Sequence, residues 1–115
     1  MRKGDETELT RQILLAASAI RMPDGSPACV LFRQQVGNFI ARSGYSVKVG
    51  IEGQADLGGF LRGGRAIQIE VKTPTGRLRD GQVRWAEMSR RMGVLYLVAR
   101  SVDDVTNAIR EAVAA

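Results

Sequence analysis

The chain has 115 residues, is 44% hydrophobic, and carries 17 Lys+Arg against 12 Asp+Glu for a formal charge of +5. That is the size of one domain with enough apolar content for a modest core, and it is not the composition of a disordered basic tail. With no histidine and one cysteine, Cys29, Ser–His and Cys–His nucleophile pairs, His-based zinc sites, histidine general bases, disulfide frameworks and thiolate clusters are all excluded.

In chain order, the N-terminus reads MRKGDETELTR, with acids where a signal peptide needs an apolar run, and the ILLAASAI stretch is far too short to span a bilayer. A cytoplasmic protein with no membrane segment is expected. Glu6 to Ile20 reads as a helix, with Leu9, Ile13, Ala16 or Ala17, and Ile20 on one stripe. Pro23, Asp24, Gly25, Ser26 and Pro27 form a dense turn signal. Cys29 to Val36 is β-like, and Tyr45 to Val49 alternates as a second short strand. Ala55–Leu61 and Ala66–Lys72 flank Arg62-Gly63-Gly64-Arg65, a hairpin signal, and Pro74-Thr75-Gly76 marks another turn. Asp80 to Met92 has helical composition and stops before Gly93. Val94 to Ala99 is a continuous apolar run, the pattern of a strand buried on both faces. Ser101, with Asp104 three residues on, opens a last helix to about Ala112.

The order αβββ(β)αβα, with no repeat or linker, predicts a single domain over 1–115: an α/β sandwich with helices on both sides of a mixed sheet. A right-handed crossover through the Asp80 helix puts Val94–Ala99 parallel to a hairpin strand. Dimerisation is a reasonable source of extra stability at this size.

Charge is uneven. Between Arg62 and Arg100 stand nine bases against three acids, a field that attracts a polyanion such as nucleic acid. Only six residues are aromatic, which disfavours a single-strand stacking platform.

The chemistry gathers on Ala66–Lys72. Alternation along a strand sends Ile67, Ile69 and Val71 to one face, and Gln68, Glu70 and Lys72 to the other. A carboxylate and an ammonium so placed can flank one small object. Asp56 stands at the start of the partner strand, and its side depends on the hairpin loop. A two-residue Gly63-Gly64 turn puts Asp56 opposite Val71, on the wrong face. A three-residue loop, Arg62-Gly63-Gly64, or a bulge near Gly58-Gly59, puts it opposite Glu70. Two carboxylates so close repel unless a cation sits between them, and such oxygen ligands suit Mg²⁺ or Mn²⁺. Glu6, on the stripe of Leu9 and Ile13, points inward as a further candidate, and Gln82 stands near the start of the following helix. The expected site is three acids and one amine converging on the uncovered side of the sheet.

Glu6, then G-x-x-D-L as Gly53 to Leu57, then I-E-V-K-T as Ile69 to Thr73, then Gly76, Gln82 and V-A-R-S-V-D-D resemble the VRR-NUC family, the virus-type replication–repair branch of the PD-(D/E)xK nucleases. Phe32-Arg33-Gln34-Gln35-Val36-Gly37 is similar to the family's strand after the first helix, with Gln34 and Gln35 where asparagine is expected. The segment from there to Gly53 is shorter than in many members, which implies a trimmed DNA-facing loop.

The resemblance implies a three-layer α/β/α restriction-endonuclease-like fold and metal-dependent hydrolysis of DNA. It implies that Asp56, Glu70 and the Val71 carbonyl hold Mg²⁺, with Mn²⁺ as substitute. Glu6 holds the ion directly, through water, or via a second ion. Lys72 orients the attacking water and favours its hydroxide form, and Gln82 positions Lys72 or that water. It further implies a homodimer acting on branched DNA such as four-way junctions, with Arg33, Arg77, Arg79 and Arg84, and also Arg90 and Arg91, holding phosphates. The competing expectations are a non-catalytic nucleic-acid-binding module that keeps the fold, and a small-molecule or protein-interaction domain with no salt-dependent DNA affinity.

Overall fold

The computed structural model describes residues 3–35 and 37–114; Met1, Arg2, Val36 and Ala115 lie outside them. The elements run α1 (Lys3–Ser18), β1 (Cys29–Arg33), β2 (Gly37–Ile40), β3 (Ser46–Val49), β4 (Leu57–Leu61), β5 (Ala66–Val71), α2 (Asp80–Arg91), β6 (Leu95–Ala99) and α3 (Val102–Ala114).

Four strands form one mixed sheet in the order β1-β4-β5-β6. The β1–β4 and β4–β5 pairs are antiparallel and β5–β6 is parallel, reached by the α2 crossover as expected. The apolar face of β5 explains one helix layer. Ile67, Ile69 and Val71 are buried against Leu9, Ile13 and Ala17 of α1 and Val105 and Ile109 of α3. Each fully buried Ile or Val contributes about 1.5–3 kcal/mol of hydrophobic stabilisation. On the opposite face α2 places Ala86 against Ala55 and Tyr96, with Trp85 and Val98 packed around them. The result is three layers, α/β/α.

The hairpin register decides whether a site can exist. Leu57 pairs with Ile69 and Gly58 with Gln68 without interruption down to Phe60 and Ala66. The Leu61 N–H donates to the Arg65 carbonyl at 2.8 Å, and Gly64 N–H donates back to Leu61 at 2.9 Å. The loop is therefore Arg62-Gly63-Gly64, with Gly63 and Gly64 both at φ +95°, a conformation a side chain resists. Carrying this register one step past Leu57 puts Asp56 opposite Glu70. No bulge is needed.

Three features differ from the sequence expectation. The β-like run stops at Arg33, and Gly37–Ile40 forms a strand that pairs with Ser46–Val49 as a separate two-stranded sheet. Gly37, at φ +145°, turns the chain there, and nothing in the GNFI pattern alternates to betray a strand. Second, β6 is an edge strand: helices flank both faces, but Leu95, Leu97 and Val98 are only half-buried. Third, the carboxylate side of the sheet is not uncovered. The α2 helix roofs it, and Glu70 is only 3% exposed.

Candidate active site

The fold brings Asp56 and Glu70 together at the end of the β4–β5 hairpin. Asp56 Oδ2 accepts the Val71 N–H at 2.8 Å, which pins an otherwise exposed carboxylate to the strand that carries Glu70. Glu70 Oε1 accepts from Gln82 Nε2 at 3.0 Å and lies 4.0 Å from Lys72 Nζ. Its other oxygen, Oε2, is buried with no hydrogen-bond partner.

Burial, and after it the close Asp56 carboxylate, raise the Glu70 pKa to about 8; the Lys72 and Arg79 cations pull the other way. A buried acid beside a second acid takes up either a proton or a cation. The residues therefore fit a hard divalent ion: an orphaned carboxylate oxygen, a second carboxylate beside it, and no soft ligand. Among the described residues no group of three or more His, Cys, Asp or Glu side chains forms a metal cluster, so the acids that meet are this pair. Glu6, half-buried on α1, lines an open cavity of about 310 Å³ together with Arg33, Gln34, Gln35, Asp56 and Val71. It shares the pocket with Asp56 and Val71 without completing a cluster.

Gln82 is buried in the first turn of α2. Its Nε2 holds Glu70, while its Oε1 accepts the Arg79 N–H at 2.9 Å, one of the donors a helix start leaves free. The amide is thus tied to Glu70 and the helix start. The helix is seated by Gly53, which sits at φ +84° where an added Cβ would lie 2.2 Å from the Gly81 carbonyl oxygen. The glycine of the G-x-x-D-L string lets the Asp56 loop touch the helix that carries Gln82.

Arg33, Arg77, Arg79 and Arg84 are all exposed. Arg33 lines the cavity, Arg79 begins α2 within electrostatic reach of Glu70, and Arg84 lies near the Gly53–Gly81 contact. Arg90, by contrast, stacks over the Tyr96 ring at 5.1 Å.

Gln34 and Gln68 stand out in the sequence, but their bonding to one another, to Gln54 and to Trp85 does not. Gln34 Nε2 donates to the Ala55 carbonyl at 3.0 Å and to Gln68 Oε1 at 2.9 Å; Gln54 Nε2 donates to Gln34 Oε1 at 2.9 Å; Trp85 Nε1 donates to Gln68 Oε1 at 3.1 Å. This amide network backs Asp56 and Glu70 and ties β1, β4, β5 and α2. Gly58 makes room for it, because a Cβ there would stand 2.4 Å from Gln34 Oε1. Gln68, two residues before Glu70 on the same face, was the readable signal. The Tyr96 hydroxyl is buried without a partner, and burial followed by the Glu70 charge push it up to about 12. Its place in an apolar run concealed it.

No protein-family model matches the sequence, and no curated protein matches it. A solved structure named "VRR_NUC domain protein" superposes on 96% of this chain and 89% of its own, with a TM-score of 0.64 and 16% identity. The chain has that protein's fold, the restriction-endonuclease-like α/β/α architecture expected from the sequence.

Proposed function

We propose that this chain is a divalent-metal-dependent deoxyribonuclease of the VRR-NUC type. The observation that carries the reading is the Asp56–Glu70 pair, with a buried carboxylate oxygen left unpartnered and Lys72 beside it. The likeness in fold to a VRR_NUC domain protein supports it, as do the exposed bases around the site.

In this reading Asp56, Glu70 and the Val71 carbonyl hold Mg²⁺, or Mn²⁺ in its place, and Glu6 contributes from across the cavity. When bound, the ion offsets the charge of the scissile phosphate and acidifies water for attack. Lys72 supplies a fixed cation that orients the nucleophilic water and answers the charge that builds on phosphorus. Gln82 is a positioning residue: it occupies Glu70 Oε1 and so leaves Oε2 as the oxygen that would take the ion. Arg33, Arg77, Arg79 and Arg84 hold phosphates without reading bases. The substrate in this reading is branched DNA of the four-way-junction type, cut by a homodimer whose twofold axis relates two sites.

The test is plasmid nicking and cleavage mapping on linear and branched DNAs in Mg²⁺ and in EDTA, with Lys72→Ala alongside and the solution mass measured. Cutting in Mg²⁺ alone, lost in Lys72→Ala, is expected. Salt-dependent DNA binding with no cut in any divalent metal would make the chain a binding module.

A further inference from the structure

The β2–β3 hairpin takes no part in the chemistry above. It forms its own two-stranded sheet and packs chiefly on itself. The molecule measures 50 × 30 × 28 Å with a radius of gyration of 15.0 Å, against about 13 Å for a compact chain of this length. Such an outline fits an arm standing off a globular body.

The arm's surface is unusual for one facing only water. Ile40 is 82% exposed and Tyr45 77%, at the two ends of the loop closed by Ala41 N–H to the Tyr45 carbonyl, and Phe39 and Val47 are exposed behind them. From Gly25 to Ile51 the chain carries Arg33, Arg42 and Lys48 and no acid; Glu52, the next residue, lines a cavity with Lys48 at the arm's root. The arm is also rooted at the site. Gln34, on its way out of the sheet, is bonded to Gln54, on its way back, and Gln34 and Gln35 line the cavity that holds Asp56.

We infer that this hairpin is a wedge that enters DNA at a branch point, placing Ile40 and Tyr45 against unstacked bases while Arg33, Arg42 and Lys48 hold the adjacent phosphates. This rests on the DNA reading of the site. Apolar wedges inserted between base steps pay an unstacking cost, and that cost is smallest where pairing is already interrupted. The tip therefore favours a junction over a continuous duplex. DNA is the occupant that answers both halves of the surface, offering base faces to the apolar tip and phosphates to the cations. A second copy of this chain answers less well: a twofold contact would gather the Arg42 and Lys48 charges of both copies in one interface, with Glu52 at the arm's root to offset only part of them.

The test uses the full chain in EDTA, where binding is read without cutting. A four-way junction carrying 2-aminopurine at the branch is compared with a linear duplex of the same sequence. Wild-type protein is expected to raise the fluorescence of the junction. The paired substitution Ile40→Ser and Tyr45→Ser is expected to abolish that rise and weaken junction binding tenfold or more, with duplex affinity held within twofold. Both positions are exposed, so unchanged thermal melting confirms the fold. Arg42→Ala with Lys48→Ala is expected to weaken both DNAs and lower the salt slope by about 2. Retained junction affinity or a retained fluorescence rise in the Ser variant overturns the wedge. Loss of a dimer with junction binding intact also overturns it, and makes the arm a contact between copies. Cleavage in Mg²⁺ is read separately. A wedge signal without cutting ends the nuclease reading alone, and cutting by a Ser variant that binds junctions normally ends the wedge alone.

Discussion

The two faces of β5 are built from alternate residues of one strand and have opposite characters. Ile67, Ile69 and Val71 face α1 and α3 in a closed apolar core. Gln68 and Glu70 face α2, in a layer that the helix covers only in part: the Gln34, Gln54 and Gln68 amides are half-buried, yet it holds one buried carboxylate oxygen and one buried phenol without partners. An unpaired buried polar group costs about 1–3 kcal/mol. The apolar face thus stabilises the fold, and the polar face keeps an unmet demand for a cation that the fold has to carry.

Exchanging one residue on each face separates the two roles. Glu70→Gln preserves shape and the reach to Gln82 but removes the charge that would bind metal. Its Mg²⁺-dependent cleavage rate is expected to fall about a thousandfold or more, corresponding to several kcal/mol of lost stabilisation. Its melting temperature in EDTA should hold or rise, and DNA binding should stay near normal. Asp56→Asn is expected to behave alike, since an amide oxygen can still accept the Val71 N–H; a variant at Asp56 that still cuts would remove it from the site. Ile69→Ala is the converse. It should cost about 2–5 kcal/mol of unfolding free energy, read by urea denaturation, while the protein that remains folded keeps its metal dependence.

How legible this contrast was in the sequence follows from what carries each part. Alternation of apolar and polar residues along Ala66–Val71 by itself assigns each side chain to its face. The Asp56–Glu70 meeting hung on one loop residue, because a single-residue slip sends Asp56 to the other side. Glycine content allowed either loop, and only the register shows which one forms. The amide network was out of reach for another reason. Gln34, Gln54 and Gln68 are distant in sequence, and glutamines carry no spacing rule. The roof over Glu70 depends on how α2 docks, through Gly53 against Gly81, a tertiary contact with no periodic trace. Of the β2–β3 arm the second strand was readable, as the alternating Tyr45–Val49 before which Ser43-Gly44 turns the chain, but Gly37–Ile40 carries no alternation or core-facing stripe to mark its partner.

Proton and metal compete for the polar face, which gives a pH test. The Glu70 pKa is raised from its ordinary value of 4.5 to about 8. Between those values the folded chain binds a proton that the unfolded chain does not. The stability this adds is full below about pH 4.5 and is lost as pH rises toward about 8. In EDTA the melting temperature should therefore decline from pH 5 to pH 8. A divalent ion replaces the proton, so the increase in melting temperature produced by Mg²⁺ should grow over that interval. In Glu70→Gln both trends should vanish. A Mg²⁺ effect of constant size across the range would mean that the ion binds elsewhere.

Arg79 sharpens the contrast most finely, because it stands where the polar face opens to solvent. Its backbone N–H is held by Gln82, and its charge favours the ionised form of Glu70. Arg79→Ala leaves the N–H in place, so the α2 start and the Gln82 position should persist. Two small effects of different origin are expected. Losing one phosphate contact should lower the salt slope of DNA binding by about 1 and weaken binding to all sequences alike. Losing a nearby cation should strengthen Mg²⁺ binding in the absence of DNA, because one positive charge no longer opposes the ion; titration calorimetry without DNA reads this directly. An unchanged salt slope would take Arg79 off the DNA path, while unchanged Mg²⁺ affinity would mean that solvent screens its charge from the Asp56–Glu70 pair despite their proximity.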